Sequence, residues 1–288
     1  MSISIRGLPV GSAEELLALL PAVSSEGSEH TLAYNLRRHR GFQQVVLSVR
    51  ATSGLVADND GTVIPGSQWD DLRRHMCEPL RIADEADVVA YFRGERTDDG
   101  DAAFLMRGVE RLRASGLTRA HIREEATAQK PRPGTRALFE SYGMGHMTAI
   151  VSFGLDAYIS EWSNVHEIPV EEIHAAQLHW QRSNGGFALV GCERGTVVVE
   201  ANKMKAREAF SRRRRLADRQ VLVLEDTPRM LARMKHPDNV GVLVIPRNDS
   251  ESKRSAERMR QLREPGLFEN IDAFLISDSL ESLVEFRS

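Results

Sequence analysis

Two aspartates one residue apart, Asp58 and Asp60, follow a short apolar segment in "GLVADNDGTVIPG" (residues 54–66). Aspartate, asparagine and glycine are common in turns, so a simple acidic turn is one interpretation. Carboxylates placed directly after a buried strand could instead do chemistry, because one can act as a nucleophile and the other can transfer a proton. The choice depends on whether other reactive side chains reach the same place.

Polar residues also follow two other apolar segments. Ser152 ends one of them, and Glu225 with Asp226 ends another. If these segments are parallel neighbours in a sheet, their polar ends converge at one edge, beside Asp58 and Asp60. Converging carboxylates without cysteine or histidine suit Mg²⁺, which prefers oxygen ligands and would attract a phosphate.

The charge that develops on a transferred phosphoryl group also needs hydrogen-bond donors, such as an ammonium group. Lys203 and Lys205, at the start of a predicted helix, are both candidates. The helical pattern favours Lys205, since Ala206, Ala209 and Phe210 would face inward beside it. Lys203 stays an alternative.

Strands and helices must alternate to bring these residues together. Apolar and Val-rich segments predict strands at residues 42–49, 147–154, 220–226, 239–246 and 272–277. Helices between them predict an α/β, Rossmann-like fold, with a mostly parallel sheet and helices on both faces. Further strands are predicted around residues 172–181 and 195–202, with a turn at 182–186 near them.

The stretch of residues 67–144 has helical periodicity throughout, apart from loops such as residues 96–102. We expect it to form an all-helical cap inserted in a core made of residues 46–66 and 145–288. Residues 1–45 form an N-terminal leader, with a capping box from Ser12 to Glu15 and a second helix in residues 31–41. Three roles are open for this leader: packing on the core, forming a homodimer, or binding a partner.

The composition argues against a nucleic-acid-binding protein, a membrane protein and a disulfide-rich protein. The 288 residues carry a net charge of −3, which gives no basic surface for nucleic acid or an anionic membrane. The run "SRRRRL" (residues 211–216) is better explained as a solvated helix end. The sequence contains no run of about 18 apolar residues, so we expect no membrane-spanning helix. Cys77 and Cys192 suggest neither a disulfide framework nor a cysteine metal site, so a reduced, cytoplasmic setting fits best.

Four segments resemble, in order, the motifs of the haloacid dehalogenase-like (HAD) phosphohydrolase superfamily. They are "DNDGTV" (58–63), "IVSFG" (150–154), "NKMKAREAF" (202–210) and "VLVLEDTPRML" (221–231). The spacing is similar to that of members with the cap between motifs one and two, most of all the phosphoserine-phosphatase-like and nucleotidase-like members. The resemblance covers about residues 53–288. It implies an Mg²⁺-dependent phosphatase that hydrolyses a small phosphorylated metabolite through an aspartyl phosphate.

The resemblance also implies a role for each motif residue. Asp58 would be the nucleophile and a metal ligand, and Asp60 the general acid/base, giving the metal its backbone carbonyl. Lys205 would stabilise the phosphoryl charge, and Asp226, with Glu225 either as a second ligand or as a structural acid, would hold Mg²⁺. The residues implied to bind phosphate are Ser152, Gly61, Thr62, Phe153 and Gly154.

Three positions depart from the common pattern. Glu225 replaces a glycine of the fourth motif, and Met230 stands where many members have a second aspartate. Ser67 stands where phosphoserine phosphatases usually place a glutamate, so phosphoserine is not transferred as the substrate. Two other functions stay open: a phosphomutase or phosphotransferase with the same phosphoenzyme, and a non-catalytic HAD-like binding protein.

Overall fold

Strands and helices alternate along most of the chain. The computed structural model describes residues 5–25, 30–92, 100–183, 186–247 and 253–288. The first elements are β1 (Ile5–Val10), α1 (Ala13–Ser25), β2 (His30–Asn35), α2 (Phe42–Arg50) and β3 (Gly54–Ala57). Five helices follow: α3 (Gln68–Arg73), α4 (Glu78–Phe92), α5 (Gly100–Ala114), α6 (Arg119–Ala128) and α7 (Thr135–Glu140).

The second half of the chain returns to strands. In order, the elements are β4 (Thr148–Leu155), α8 (Asp156–Val165), β5 (Glu172–Ala176), β6 (Leu178–Ser183), β7 (Gly186–Cys192) and α9 (Lys203–Arg214). After them come β8 (Val221–Glu225), α10 (Pro228–Met234), β9 (Val240–Ile245), α11 (Lys253–Leu262), β10 (Ala273–Ile276) and α12 (Glu281–Arg287).

Within the described ranges, eight strands form one sheet in the order β1-β2-β10-β9-β8-β3-β4-β5. The six strands from β10 to β5 are parallel, whereas β2 pairs antiparallel with β10. β3 lies between β8 and β4, so its carboxyl end is flanked by theirs. The mostly parallel α/β sheet predicted from the sequence is confirmed.

Two apolar layers cover the sheet, because side chains alternate between its faces. Along β3, Leu55 and Ala57 belong to one layer and Val56 to the other. Buried residues of α2, α7, α8 and α12 pack in the first layer, and those of α1, α9, α10 and α11 in the second. Helices therefore lie on both faces, as predicted.

The N-terminal leader belongs to the sheet rather than standing apart, since β1 and β2 extend it beyond β10. The prediction of a helix in residues 31–41 is wrong, because residues 30–35 form β2. The prediction of a strand at residues 42–49 is also wrong. These residues form α2, in which Val45 and Val49, one turn apart, are buried while Leu47 is 60% exposed.

One of the two bonds of the predicted capping box is present at the start of α1. The Glu15 N–H donates to Ser12 Oγ at 3.2 Å, and Glu15 Oε2 accepts from the Gly11 N–H at 2.6 Å. The glutamate side chain thus bonds the N–H of Gly11, whereas in a capping box it would bond the N–H of the serine itself.

The segment 195–202, predicted as a strand, is a short 3-10 helix (Arg194–Thr196) followed by a loop. The Asn202 side chain takes the place of a strand partner, accepting from the Val199 N–H at 2.7 Å and donating to the Val197 carbonyl at 2.9 Å. The loop ends where α9 begins, at Lys203. Residues 184 and 185 of the predicted turn at 182–186 lie outside the described residues, between the paired strands β6 and β7.

The β6–β7 hairpin packs against α5 and α6, two helices of the predicted cap segment. The Leu189 N–H donates to the Leu117 carbonyl at 2.9 Å, and the Arg119 guanidinium lies over Trp180 and Phe187, 5.3 and 5.2 Å from their ring centroids. The hairpin lies outside the segment of residues 67–144 that is predicted to form the cap.

The end of the predicted cap segment packs on the core instead. In α7, Leu138 and Phe139 are fully buried in the layer that α12 also contributes to. Of the predicted loop at 96–102, residues 96–99 lie outside the described residues, and residues 100–102 open α5. In the described part of the chain, no helix has both the length and the apolar character needed to span a membrane.

Candidate active site

Asp58 lies at the end of β3 and extends the sheet ladder, since its N–H donates to the Leu224 carbonyl at 2.9 Å. The chain then leaves the strand in a tight turn. The Asn59 carbonyl accepts from the N–H groups of residues 62–64 at 3.1–3.3 Å. Gly61 has φ +79°, a conformation that favours glycine. The predicted tight exit from the strand is therefore observed.

A buried arginine holds this turn from outside. Arg132, 2% exposed, donates from Nε to the Thr62 carbonyl at 2.9 Å and from Nη2 to the Gly61 carbonyl at 2.7 Å. Its own N–H donates to the Val63 carbonyl at 2.9 Å. The sequence offered no signal for this contact, because an arginine in a Pro-rich loop is usually solvated.

Three carboxylates meet at the ends of β3 and β8. These strands are parallel, with Ala57 opposite Leu224, so the residues that follow come together. Asp58, Glu225 and Asp226 are all buried, and each offers an oxygen within 4.8 Å of the others. The structure thus brings the first and fourth predicted motifs to one point.

Lys203, rather than Lys205, is the lysine at this point. Lys203 is buried, and its Nζ lies 2.8 Å from Asp58 Oδ1 and 3.0 Å from Glu225 Oε1. Lys205 is exposed on the outside of α9. The choice of Lys205 from the sequence is corrected to Lys203.

Burial and mutual repulsion shift the acidity of this cluster. Burial, with a smaller contribution from Asp226, raises the pKa of Asp58 to about 6 although Lys203 opposes the shift. Burial and the neighbouring Asp58 carboxylate also raise the pKa of Glu225 well above its ordinary value. Burial alone would lower the pKa of Lys203, but Asp58 and Glu225 raise it, which keeps its ammonium charged. Asp58 and Glu225 share this one ammonium, which does not neutralise both carboxylates.

The donor set fits a hard divalent cation. Glu225 Oε2 is buried and makes no hydrogen bond within the described part of the chain. An unpartnered buried carboxylate oxygen beside two other carboxylates is costly unless a cation is bound there. Oxygen ligands of this kind suit Mg²⁺.

Asp226 has a second cation beside it. The Arg258 side chain, from α11, donates from Nε to the Asp226 carbonyl at 2.5 Å and from Nη2 to Oδ2 at 3.1 Å. Thr227 Oγ1 donates to Asp226 Oδ1 at 3.1 Å. Sequence reasoning missed Arg258, which is 2% exposed and lies 32 residues away along the chain.

Asp60 is held by residues on both sides of it. Its Oδ1 accepts from Asn59 Nδ2 at 2.8 Å and from Gln68 Nε2 at 3.0 Å, and its Oδ2 accepts from Ser67 Oγ at 2.7 Å. Ser67 and Gln68 are the first residues of the predicted cap segment, and Gln68 begins α3. The sequence singled out Ser67 only as a departure and did not identify Gln68.

The predicted phosphate-binding residues lie around the same strand ends. Ser152 lies on β4 and is 2% exposed. It follows Ile150 by two residues, and Ile150 is opposite Ala57, the last residue of β3. The Phe153 carbonyl accepts from Trp69 Nε1 at 3.2 Å, and Gly154 packs against Gln68.

Gly61 and Thr62, also predicted to bind phosphate, lie in the turn with their carbonyls bonded to Arg132. The Thr62 hydroxyl is buried and has no hydrogen-bond partner among the described residues. The structure therefore brings Asp58, Asp60 and these residues to one end of the sheet.

An aromatic cluster lies beside the second motif. The rings of Tyr91 and Phe104, from the cap helices α4 and α5, stack at a centroid distance of 4.6 Å. Each lies 6.1 Å from the ring of Phe153, which directly follows Ser152. Helices α4 and α5 thus contact β4 next to the predicted phosphate-binding serine.

Solved structures share this fold. A cytosolic 5'-nucleotidase IIIB bound to cytidine is similar over 96% of this chain and 97% of its own, with a TM-score of 0.60 and 13% identity. A phosphoserine phosphatase with an analogue of its phospho-aspartyl intermediate is similar over 82% and 99%, with a TM-score of 0.57 and 13% identity.

A HAD family hydrolase from Salmonella enterica serovar Typhi is similar over 67% of this chain, with a TM-score of 0.53 and 17% identity. The chain spans only 63% of that hydrolase's length. The sequence matches no protein-family model and no curated protein. These likenesses concern the fold, as the four motifs led us to expect: this chain shares its fold with a HAD family hydrolase, a nucleotidase and a phosphoserine phosphatase.

Proposed function

We propose that this protein is an Mg²⁺-dependent phosphatase that hydrolyses a small phosphomonoester through an aspartyl phosphate on Asp58. The observation that carries the proposal is the buried cluster at the ends of β3 and β8. There Asp58 lies 2.8 Å from the Lys203 ammonium and within 4.8 Å of Glu225 and Asp226, on a fold shared with phosphatases.

The reaction would proceed in two displacements. In the first, an Asp58 oxygen attacks phosphorus while the bond from phosphorus to the ester oxygen breaks, and Asp60 gives its proton to that oxygen. In the second, Asp60 takes a proton from water, whose oxygen attacks phosphorus and frees the Asp58 carboxylate and inorganic phosphate. Lys203 and the Ser152 hydroxyl would stabilise the charge on the transferred group.

Asp58, Glu225 and Asp226, with the Asp60 backbone carbonyl, would hold the metal. When bound, Mg²⁺ neutralises these carboxylates and draws the negative phosphoryl group toward them. Arg258 would keep Asp226 in place through its two contacts.

The substrate belongs to the small phosphorylated metabolites. The nucleotidase neighbour was solved with cytidine, and other neighbours are phosphoserine phosphatases, so nucleotides and amino-acid phosphates are the first compounds to test. The partly exposed rings of Tyr91, Phe104 and Phe153 support an ester whose alcohol part has an apolar or planar surface.

A phosphatase screen with and without Mg²⁺ tests the proposal. The panel contains aryl phosphates, nucleotides, sugar phosphates and amino-acid phosphates. We expect phosphate release that requires Mg²⁺ and is abolished in Asp58→Asn, while Asp238→Asn, an exposed control, keeps wild-type activity.

Other results would favour the alternatives. Transfer of the phosphoryl group to a second sugar, without net phosphate release, would indicate a phosphomutase or phosphotransferase. Binding of phosphorylated compounds without turnover of any of them would indicate a binding protein.

A further inference from the structure

The Gln68 side chain connects three parts of the site. Gln68 is fully buried and is the first residue of α3. Its Nε2 donates to Asp60 Oδ1 at 3.0 Å, and its Oε1 accepts from the Leu155 N–H at 2.8 Å. Leu155 ends β4, the strand that carries Ser152. A single amide therefore joins the cap, the residue proposed for proton transfer and the strand proposed for phosphate binding.

Gly154 makes room for this amide. A Cβ atom at position 154 would lie 2.0 Å from Gln68 Nε2 and 2.5 Å from its Cδ, far inside van der Waals contact. The pairing of β4 with β5 is also irregular between Val151 and Leu155. The Gln68 amide is thus held in one position in two independent ways, by its two hydrogen bonds and by its close packing against Gly154.

Two of the donors to Asp60 come from the start of the cap. Ser67 and Gln68 are consecutive, and they bond to different oxygens of the carboxylate, whereas Asn59 belongs to the turn after β3. The direction in which the Asp60 carboxyl group points therefore depends on where α3 lies relative to β4.

We propose that Gln68 is a positioning residue that aims the Asp60 carboxyl group at the leaving-group oxygen and makes this aim depend on the contact of α3 with β4. The inference rests on the phosphatase function proposed above. In the step concerned, the proton moves from Asp60 to the ester oxygen as its bond to phosphorus breaks and the bond from Asp58 to phosphorus forms. Proton transfer of this kind contributes most when the departing oxygen is strongly basic.

Two aryl esters of nearly the same shape separate proton transfer from general damage. Phenyl phosphate releases a more basic oxygen than p-nitrophenyl phosphate, so it depends more on a proton donor. Single-turnover release of the phenol, with enzyme in excess and Mg²⁺ present, reports the first displacement alone. For Gln68→Met we expect release of phenol to slow about 100-fold and release of nitrophenol less than about 5-fold. The ratio of the two losses does not depend on how much of the variant is folded.

Gly154→Ala supplies an independent test, since the added methyl group displaces the same amide. We expect the same unequal loss, and we expect the double variant to lose no more than about 3-fold beyond Gln68→Met alone, because neighbouring residues acting through one contact are not additive. The matched control is Gln129→Met, a glutamine at the other end of the cap that lies beside Gly66. It should lose equally little with both esters.

Equal losses with both esters in Gln68→Met, or losses that multiply in the double variant, would overturn the positioning role while leaving the phosphatase intact. A wild-type protein that turns over no phosphomonoester would instead overturn the proposed function and this inference with it.

Discussion

At the scale of single residues, the Lys203 ammonium lies between two buried carboxylates, 2.8 Å from Asp58 and 3.0 Å from Glu225. In that position it offsets part of their repulsion and would face the phosphoryl group transferred to Asp58. Lys205, two residues on, is exposed and reaches neither.

Because Lys203 is buried beside Asp58 and Lys205 is exposed, we expect the same substitution to affect phosphatase activity very differently at the two positions. Lys203→Met should lower phosphatase kcat/KM by at least about 100-fold, as expected for loss of a donor that stabilises transition-state charge. Lys205→Met should stay within about 2-fold of wild type. Parallel steady-state assays on the two purified variants make the comparison, and equal losses in both would contradict the assignment.

The sequence could identify the helix that carries the lysine but not its buried face. Lys203, Arg207, Phe210 and Ser211 form that face of α9. Arg207 is 1% exposed and forms an ion pair with Asp218, so an arginine occupies a core position. Arginine is rarely buried. A pattern drawn from apolar residues alone therefore predicted a buried face that includes Lys205 in place of Lys203.

At the scale of elements, the turn after β3 depends on Arg132. Its guanidinium donates to the carbonyls of Gly61 and Thr62, and its backbone N–H donates to Val63. This contact fixes the turn against the loop that joins α6 to α7.

Removing the guanidinium should therefore destabilise the fold. Arg132→Met leaves two buried carbonyls without their donor, so we expect the free energy of unfolding to fall by about 3 kcal/mol. Urea denaturation measures it. Arg136→Met is the control, because Arg136 is half exposed and its ion pairs are on the surface. A change in the control as large as in Arg132→Met would argue against a specific role for the turn contact.

Elements with long apolar strands were predictable, and those with ambiguous short runs were not. Strands β4, β8, β9 and β10 are buried runs that match their predicted positions. Segment 42–49 is also rich in valine, yet it forms a helix whose buried valines are one turn apart. A short apolar run does not by itself distinguish a strand from a helix. Segment 195–202 fails as a strand because the Asn202 side chain bonds its backbone instead.

At the scale of the whole molecule, a charged cluster fixes the added β1–β2 strands to the core. The Asp272 carboxylate, at the start of β10, accepts from Arg38 Nε at 2.5 Å, contacts His39 Nε2 at 3.1 Å and lies 3.3 Å from Lys235 Nζ. It also accepts from the Gly241 N–H at 2.7 Å. This cluster lies at the amino-terminal ends of the parallel strands, opposite Asp58.

The cluster predicts a pH dependence of stability. Burial alone would raise the pKa of Asp272, but the hydrogen bond with His39 and the charges of Lys235 and Arg38 lower it. A lowered folded-state pKa means that the stabilisation is present above the unfolded value of about 3.9 and is lost as the pH falls through the folded value.

Asp272→Asn should therefore lower the free energy of unfolding by about 3 kcal/mol at neutral pH, since it leaves buried cations unpaired. The difference from wild type should hold down to about pH 4.5 and narrow below about pH 4. Urea unfolding across this range measures it, with Asp238→Asn, 73% exposed, as the control. A difference that stays constant down to about pH 3 would mean that the ion pairs are not its cause.

The proposed function requires a covalent phosphoenzyme on Asp58. The protein is mixed with Mg²⁺ and the best phosphomonoester of the panel, quenched in acid within the first turnovers, digested, and examined by mass spectrometry for phosphorylated peptides. We expect a phosphoryl group on Asp58, in the peptide that contains "ADNDGTV", and none in Asp58→Asn. Turnover of the same ester with no phosphoryl group on Asp58, or with one on another residue, would contradict it.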